Sequence, residues 1–130
     1  MAFMSAAWCG NRGSMMSGSE PKLWIKIRLE QGEIGPGKIA LLRAIDHHRS
    51  ISAAARSMNM SYRRAWLLLD EINKICGAPL AETFAGGHER GGARLTPLGS
   101  EIVRQFDEIS KAAQTGAAEA MAGLHRLLER

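Results

Sequence analysis

Two adjacent arginines stand at the predicted start of an amphipathic helix, in the stretch NMSYRRAW over residues 59–66. A guanidinium is a planar fork that can bond guanine O6 and N7 together or clamp a phosphate. A solvated helix face is the alternative interpretation of such a charged pair. We predict that the first turn and a half of this helix contacts duplex DNA. The residues assigned to that contact are Ser61, Tyr62, Arg63, Arg64 and Leu67.

A glycine-rich segment, GGHERGG, supplies a second set of candidate side chains. Short extended arms on either side predict a β-hairpin over residues 80–96 with a long tip. In this interpretation His88, Arg90 and Arg94 reach the minor groove or the phosphates, and the glycines permit close approach. The alternative is a loose surface loop, and Glu89 argues against a strong phosphate grip.

The other histidines and cysteines do not form a recognisable catalytic or metal site. His47 and His48 are adjacent, so on a helix they lie about 100° apart and cannot share one tetrahedral ion without further ligands. The glycines do not match a phosphate-binding loop, and the sequence lacks a nucleophile, base and orienting group in a recognisable arrangement. We therefore expect a protein that is not an enzyme, with no metal and no cofactor.

Composition permits an anionic partner and favours a reducing compartment. The 130 residues include 17 Lys or Arg and 13 Asp or Glu, which gives a net charge of +4 and a pI near 9.5. Two cysteines are too few for a disulfide framework. No apolar run approaches the roughly 18 residues that span a bilayer. We expect a cytoplasmic location without membrane contact.

The hydrophobic pattern predicts a mainly α fold with a small β-hairpin. The predicted order is a strand over 22–30, a turn in QGEIGPG, a helix in KIALLRAIDHHRS, a short helix over 52–58, a helix from Ser61 to the stop at Gly77, the hairpin, and a helix from Pro97. Ser50 and Ser52 are N-cap types whose place before the short helix also suits a phosphate. Trp66 and Tyr62 are expected to wedge the helix from Ser61 against the short one.

This order is that of a winged helix-turn-helix, in which the short helix braces a recognition helix. We assign residues 1–20 to a disordered leader, 21–97 to the DNA-binding domain and 98–130 to a C-terminal dimerisation helix or helices, which weaken at residues 114–116. An apolar stripe on that segment is expected partly to cap the domain and partly to pair with a second subunit. The stripe consists of Leu98, Ile102, Phe106, Ile109 and Ala113.

The stretch SISAAARSMNMSYRRAWLLLDEIN, followed by GGHERGGARLTPLG, resembles the N-terminal DNA-binding domain of the ModE family of molybdate-responsive regulators. That domain is itself similar to the one that opens LysR-type regulators. The resemblance covers roughly residues 22–113. It implies sequence-specific DNA binding by a homodimer on a near-palindromic operator, with recognition helices about 34–36 Å apart or a multiple of that.

The resemblance leaves the control of such a regulator open. In ModE proteins molybdate-binding modules follow the long helix, whereas this sequence ends at Arg130. The chain would then work with a separate oxyanion-sensing partner or no longer sense the anion. A different class of function is a winged-helix module that binds protein through Leu67 and the long helix. Salt separates the two classes, because phosphate binding weakens steeply as salt rises.

Overall fold

The computed structural model describes residues 20–86 and 89–129, which fold into four helices and two antiparallel hairpins. The predicted leader lies outside the described residues, except for Glu20. The elements are β1 (Ile27–Leu29), β2 (Gly32–Ile34), α1 (Pro36–His48), α2 (Ile51–Ser57), α3 (Tyr62–Cys76), β3 (Ala81–Gly86), β4 (Glu89–Leu95) and α4 (Pro97–Leu128). This order confirms the predicted winged helix-turn-helix.

The N-terminal segment is a short hairpin and not the single strand over 22–30 that alternation predicts. Pairing is confined to β1 and β2, and β2 lies inside the segment that we predicted to be a turn. Gly32 permits this turn because it has a φ of 153°, and a Cβ there would lie 2.9 Å from the side chain of Ile75. Alternation predicts one inward face for Leu23, Ile25, Ile27 and Leu29. The first three are half-buried, whereas Leu29 is 42% exposed.

The core is formed by the inner faces of α1, α2 and α3. Single residues from β2, β4 and α4 complete it, together with Leu80, which directly precedes β3. Alanines in α2 and α3 keep these two helices close, since a methyl group is the whole side chain at the contact. The buried residues are Ile34, Ile39, Leu41, Leu42, Ile45, Ile51, Ala54, Ala55, Ala65, Leu69, Ile72, Leu80, Ala93 and Phe106.

Caps and a tight corner define the ends of α2 and α3. The Ser50 hydroxyl accepts a hydrogen bond from the backbone N–H of Ala53 at 3.0 Å. Asn59 adopts a left-handed conformation with a φ of 57°, and the Met60 N–H donates back to the Ala55 carbonyl at 3.0 Å. The predicted stop at Gly77 is confirmed, with a φ of 76° that suits a residue without Cβ.

The second hairpin is tied to both ends of the helical core. The backbone N–H of Ala93 in β4 donates to the carbonyl of Arg49 at 3.1 Å. The N–H of Leu80 donates to the Asn73 Oδ1 at 2.9 Å, so the end of α3 fixes the start of β3. These bonds hold the hairpin at a set position beside α3.

Helix α4 begins at Pro97 as predicted, and Thr96 is its N-cap. It then runs unbroken to Leu128, so the predicted weakening at residues 114–116 is wrong. Alanine-rich neighbours favour the helix enough to accommodate one glycine, which costs about 1 kcal/mol relative to alanine. Near its start, Gly99 approaches the chain so closely that a Cβ there would lie 2.0 Å from the Leu80 carbonyl oxygen.

Two glycine substitutions in α4 should have opposite effects on stability. Gly99→Ala places a methyl group against the backbone of Leu80 and should lower the free energy of unfolding by about 1–3 kcal/mol or more. Gly116→Ala has nothing within 4 Å of the new Cβ and should raise it by up to about 1 kcal/mol. Urea denaturation monitored by circular dichroism measures both, and equal effects would contradict the close approach at Gly99.

Candidate nucleic-acid interface

The first turn of α3 presents Arg63 and Arg64 to solvent. Ser61 caps the helix as predicted, its Oγ accepting from the backbone N–H of Arg64 at 3.0 Å. Among the residues that the structure describes, neither guanidinium forms an ion pair or a hydrogen bond. Both groups are therefore available to a ligand, and the helix N-terminus adds a partial positive charge at the same place.

Several other exposed arginines contrast with this pair because a carboxylate already binds them. The pairs are Arg28 with Glu33, Arg43 with Asp107, Arg94 with Glu82, and Arg104 with Glu101. Hydrogen bonds from Arg104, at 3.1 Å from its Nε, lower the pKa of the Glu101 carboxyl. The unpaired arginines of α3 thus differ from these pairs in their availability rather than in their exposure.

The aromatic residues of α3, which were predicted to wedge the helix against α2, lie at the surface. Tyr62 and Trp66 form an edge-to-face contact with ring centroids 6.2 Å apart. Tyr62 is 55% exposed and Trp66 is 38% exposed. The predicted wedge stays a prediction, whereas Ala54 and Ala55 in α2 and Ala65 in α3 are buried in the core.

A cleft of about 350 Å³ opens between the N-termini of α2 and α3 and the second hairpin. Its walls include residues that sequence analysis assigned to the site and others that it missed. They are Ser50, Ile51, Ser52, Tyr62, Trp66, Thr83, Phe84, Gly91, Gly92 and Ala93. Phe84 stands out among the missed residues, because an exposed aromatic in the arm of a glycine-rich hairpin was a visible signal.

The two predicted serines take different places at the cleft. Ser50 is the N-cap of α2, so its hydroxyl is already bonded to the Ala53 N–H. Ser52 is the second residue of α2, and its Oγ accepts from the Arg56 guanidinium at 3.3 Å. Both line the cleft, so they are close to any strand that enters it.

Of the predicted hairpin residues, Arg94 has a defined position. Its Nε donates to Glu82 Oε2 at 3.1 Å, and its guanidinium carbon lies 5.1 Å from the centroid of the Phe84 ring. The backbone of Arg90 belongs to β4. His88 lies outside the described residues, and the structure describes only the backbone of Arg90.

Leu67 is exposed on α3, four residues after Arg63, with 56% of its surface accessible. Positions four apart on a helix are neighbours on one face, so Leu67 and Arg63 lie on the same face of α3. Farther along the helix Asp70 pairs with Lys74 at 3.3 Å, and Glu71 with Lys38 at 3.5 Å. The cationic part of this surface is therefore limited to the start of α3.

Residues 37–100 match the family model described as the bacterial regulatory helix-turn-helix protein, lysR family. The chain is 36% identical over 93 residues to the molybdenum transport protein ModE of Azotobacter vinelandii, covering 72% of this chain and 32% of that protein. The helix-turn-helix region of this chain is thus similar to the LysR-type family and to ModE, and we call it the ModE-type domain. The ModE resemblance noted from sequence is thereby confirmed.

Other relatives agree with this assignment. The helix-turn-helix region is 35% identical over 95 residues to the molybdenum-pterin-binding protein MopB of Rhodobacter capsulatus, covering 73% of this chain and 34% of MopB. It is 30% identical over 96 residues to the DNA-binding transcriptional dual regulator ModE of Escherichia coli K12. This match covers 73% of this chain and 37% of that protein. The chain therefore spans about a third of the length of these curated relatives.

A solved structure supports the fold of the ModE-type domain. The crystal structure of a CbnR DNA-binding domain in complex with DNA matches with a TM-score of 0.53 and 18% identity. The match covers 67% of this chain and 94% of that one. It confirms the winged helix-turn-helix architecture.

The stripe predicted for dimerisation divides in the structure. Phe106 is buried in its own chain, and Ile102 packs partly against the same core. Leu98 and Ile109 are exposed, by 39% and 44%, and Ala113 is half-buried. Phe106 and Ile102 cap the ModE-type domain, while Leu98 and Ile109 leave apolar surface outside it.

The described part of the chain contains no group of three or more His, Cys, Asp or Glu side chains placed to hold a metal ion. The rings of His47 and His48 contact each other edge to face at the end of α1, with centroids 4.8 Å apart. Among the described helices, none combines the length and the apolar character that crossing a membrane requires.

The exposure of Trp66 leads to a stability prediction for the ModE-type domain. Trp66→Ala should lower the free energy of unfolding by about 1–2 kcal/mol, because much of the indole is already in water. Leu69→Ala, on the buried face of the same helix, should lower it by about 2–5 kcal/mol. Urea denaturation compares the two, and a Trp66 variant that fails to fold would support the wedge interpretation.

Proposed function

We propose that this chain is a transcriptional regulator that binds duplex DNA sequence-specifically through the start of α3. The observation that carries the proposal is the pair of unpaired guanidinium groups, Arg63 and Arg64, on the capped first turn of a braced helix. Four arginines elsewhere already bind carboxylates. The LysR-type match and the relatives named as regulators support the same function.

In the proposed complex the N-terminal half of α3 enters the major groove. Arg63 and Arg64 bond guanine edges or the flanking phosphates, and the bidentate geometry of guanidinium favours guanine. Leu67 has no hydrogen-bonding group, so its partner in the groove is apolar, and the C5 methyl of thymine is the apolar group that base edges offer there. Asp70 and Glu71 end the contact surface, since carboxylates would face phosphate charge.

The cleft and the second hairpin contact the sugar-phosphate backbone beside that groove. A duplex that receives α3 in its major groove brings one strand across the cleft before the next groove reaches the hairpin. Ser50, Ser52 and Tyr62 can donate hydroxyl hydrogen bonds to phosphates of that strand. Arg94, together with the predicted contacts of Arg90 and His88, belongs to the hairpin side.

The proposal includes a homodimer and a near-palindromic operator. Exposed Leu98 and Ile109 on α4 leave apolar surface that a second copy of the helix would cover. Farther along α4, Leu124 and Leu128 are exposed by 44% and 57%. Two copies related by a twofold axis present two recognition helices to half-sites that mirror each other.

Regulation by an oxyanion through a separate partner is the remaining part of the proposal. The described residues form one winged domain and a long helix, and the matched relatives are about three times longer than the region shared with them. Their names refer to molybdenum, which makes molybdate the anion to test. If a separate protein senses the anion, molybdate should leave the DNA affinity of the purified chain unchanged.

Removal of either exposed guanidinium should weaken specific binding while preserving the fold. Arg63→Ala and Arg64→Ala should each weaken binding by about 1–3 kcal/mol and leave the melting temperature nearly unchanged, because neither side chain has a partner to lose. The measurement is fluorescence anisotropy with a duplex selected from random sequences by the wild-type protein, titrated over salt and repeated with molybdate.

Lys74→Ala is the matched control. It removes one positive charge from the same helix about 16 Å farther along its axis, where Lys74 already pairs with Asp70. Its affinity should stay within about twofold of wild type. Arginine variants that bind like wild type would contradict the recognition-helix assignment. Wild-type binding that does not weaken with salt would point to the protein-interaction module instead.

Substitution of an exposed stripe residue should separate the subunits. Ile109→Glu places a charge on the apolar surface of α4 and should shift the wild-type dimer to a monomer, since burial of an unpaired charge is costly. Sedimentation velocity measures the shift. Lys111→Glu, two residues away on the exposed surface, should leave the dimer intact, and a monomeric wild type would contradict the dimer proposal.

A further inference from the structure

The wing of the domain, formed by β3 and β4, carries a compact cluster of three side chains. Glu82 and Arg94 are cross-strand partners, and Phe84 lies opposite Gly92 two residues farther along. The Arg94 Nε donates to Glu82 Oε2 at 3.1 Å, while the guanidinium lies over the Phe84 ring at 5.1 Å. Two separate contacts thus determine the position of one guanidinium.

The geometry of this hydrogen bond leaves the outer edge of the arginine available. A guanidinium has five N–H donors, of which the Nε–H occupies Glu82 and four remain on the two terminal nitrogens. Within the described residues those terminal nitrogens make no other ion pair or hydrogen bond. They are the atoms that bind a phosphate in a bidentate manner.

The aromatic ring is a second contact of the guanidinium, and a glycine makes room for the ring. A Cβ at Gly92 would lie 2.9 Å from the Phe84 Cζ and 3.0 Å from the Arg49 carbonyl oxygen. A larger residue would therefore displace the ring. Stacking of guanidinium on an aromatic face is favourable, which limits rotation of the arginine about its last bonds.

Phe84 connects this cluster to the cleft. It lines the cleft together with Tyr62 and Trp66, on the side opposite α3. Arg94 therefore lies at the hairpin wall, beside the path that the proposed function gives to a DNA strand. The carboxylate of Glu82 would repel a phosphate at this position. Its hydrogen bond to Arg94 is the interaction that can offset this repulsion.

We propose that Glu82 is a positioning residue for DNA binding, which holds Arg94 through Nε so that its terminal nitrogens clamp a phosphate of the strand in the cleft. This inference rests on the proposed function and names a contact within it. Glu82 itself does not touch the nucleic acid. Its negative charge weakens long-range attraction, while its hydrogen bond orders the contact.

Two substitutions of Glu82 separate these effects because they change the charge equally. Glu82→Gln keeps an oxygen that accepts from the Arg94 Nε, whereas Glu82→Ala removes it. We expect the glutamine variant to bind the selected duplex at least as tightly as wild type, and the alanine variant about two- to fivefold more weakly than the glutamine variant. Anisotropy at fixed salt gives both affinities.

The same two Glu82 substitutions in an Arg94→Ala variant test whether Glu82 acts on DNA binding through Arg94. There the glutamine and alanine variants should bind equally, because the residue that Glu82 positions is absent. Arg94→Ala alone should also reduce the slope of log affinity against log salt by about 1. Glu101→Gln and Glu101→Ala, at another exposed arginine pair, are the controls, and they should not differ in affinity. Melting curves establish that each variant is folded.

The outcomes distinguish this inference from the proposed function. Equal affinities of folded Glu82→Gln and Glu82→Ala would overturn the positioning role, even where Arg63-dependent, salt-steep binding supports the proposed function. A difference that persists in the Arg94→Ala background would overturn it as well. A wild-type chain that binds no duplex at low salt would overturn the proposed function, and the inference with it.

Discussion

The orientation of the proposed DNA-contacting surface depends on the close packing of α2 against α3 around three buried alanines. Ala54, Ala55 and Ala65 are at most 2% exposed, and protein interiors tolerate little change in volume at such contacts. The corner between the helices is fixed independently by the bond from the Met60 N–H to Ala55. The direction of the exposed arginines is thus set by residues that never meet the ligand.

The second hairpin depends on the same helical framework. Asn73, near the end of α3, binds the start of β3, and the end of α1 binds β4 through the Arg49 carbonyl. The Thr96 side chain closes this arrangement by donating to the Pro79 carbonyl at 3.0 Å. The two walls of the cleft therefore keep a fixed separation, which a rigid duplex backbone needs in order to contact both.

Sequence reasoning found the features that local chemistry determines. Ser61, Gly77 and Pro97 predicted helix ends, and the sequence pattern predicted an amphipathic helix at α3, because caps and amphipathic faces involve residues close in the chain. It missed β2, since three residues show no resolvable alternation. The Glu82–Arg94 pair could not be predicted either, because it depends on the register of the hairpin, and four glycines leave that register open.

Stability and ligand contact reside in different residues of this domain. Exposed ion pairs such as Arg28–Glu33 each contribute at most about 1 kcal/mol, and the apolar core contains no charged group among the described residues. The unpaired arginines of α3 contribute still less to folding, since they have no partner to hold. In the proposed complex, changes at Arg63, Arg64 or Leu67 would therefore alter which bases are read without altering the framework that presents them. The cleft wall is different in this respect, because Phe84 and Gly92 constrain each other sterically, so the wing tolerates fewer changes than the recognition helix.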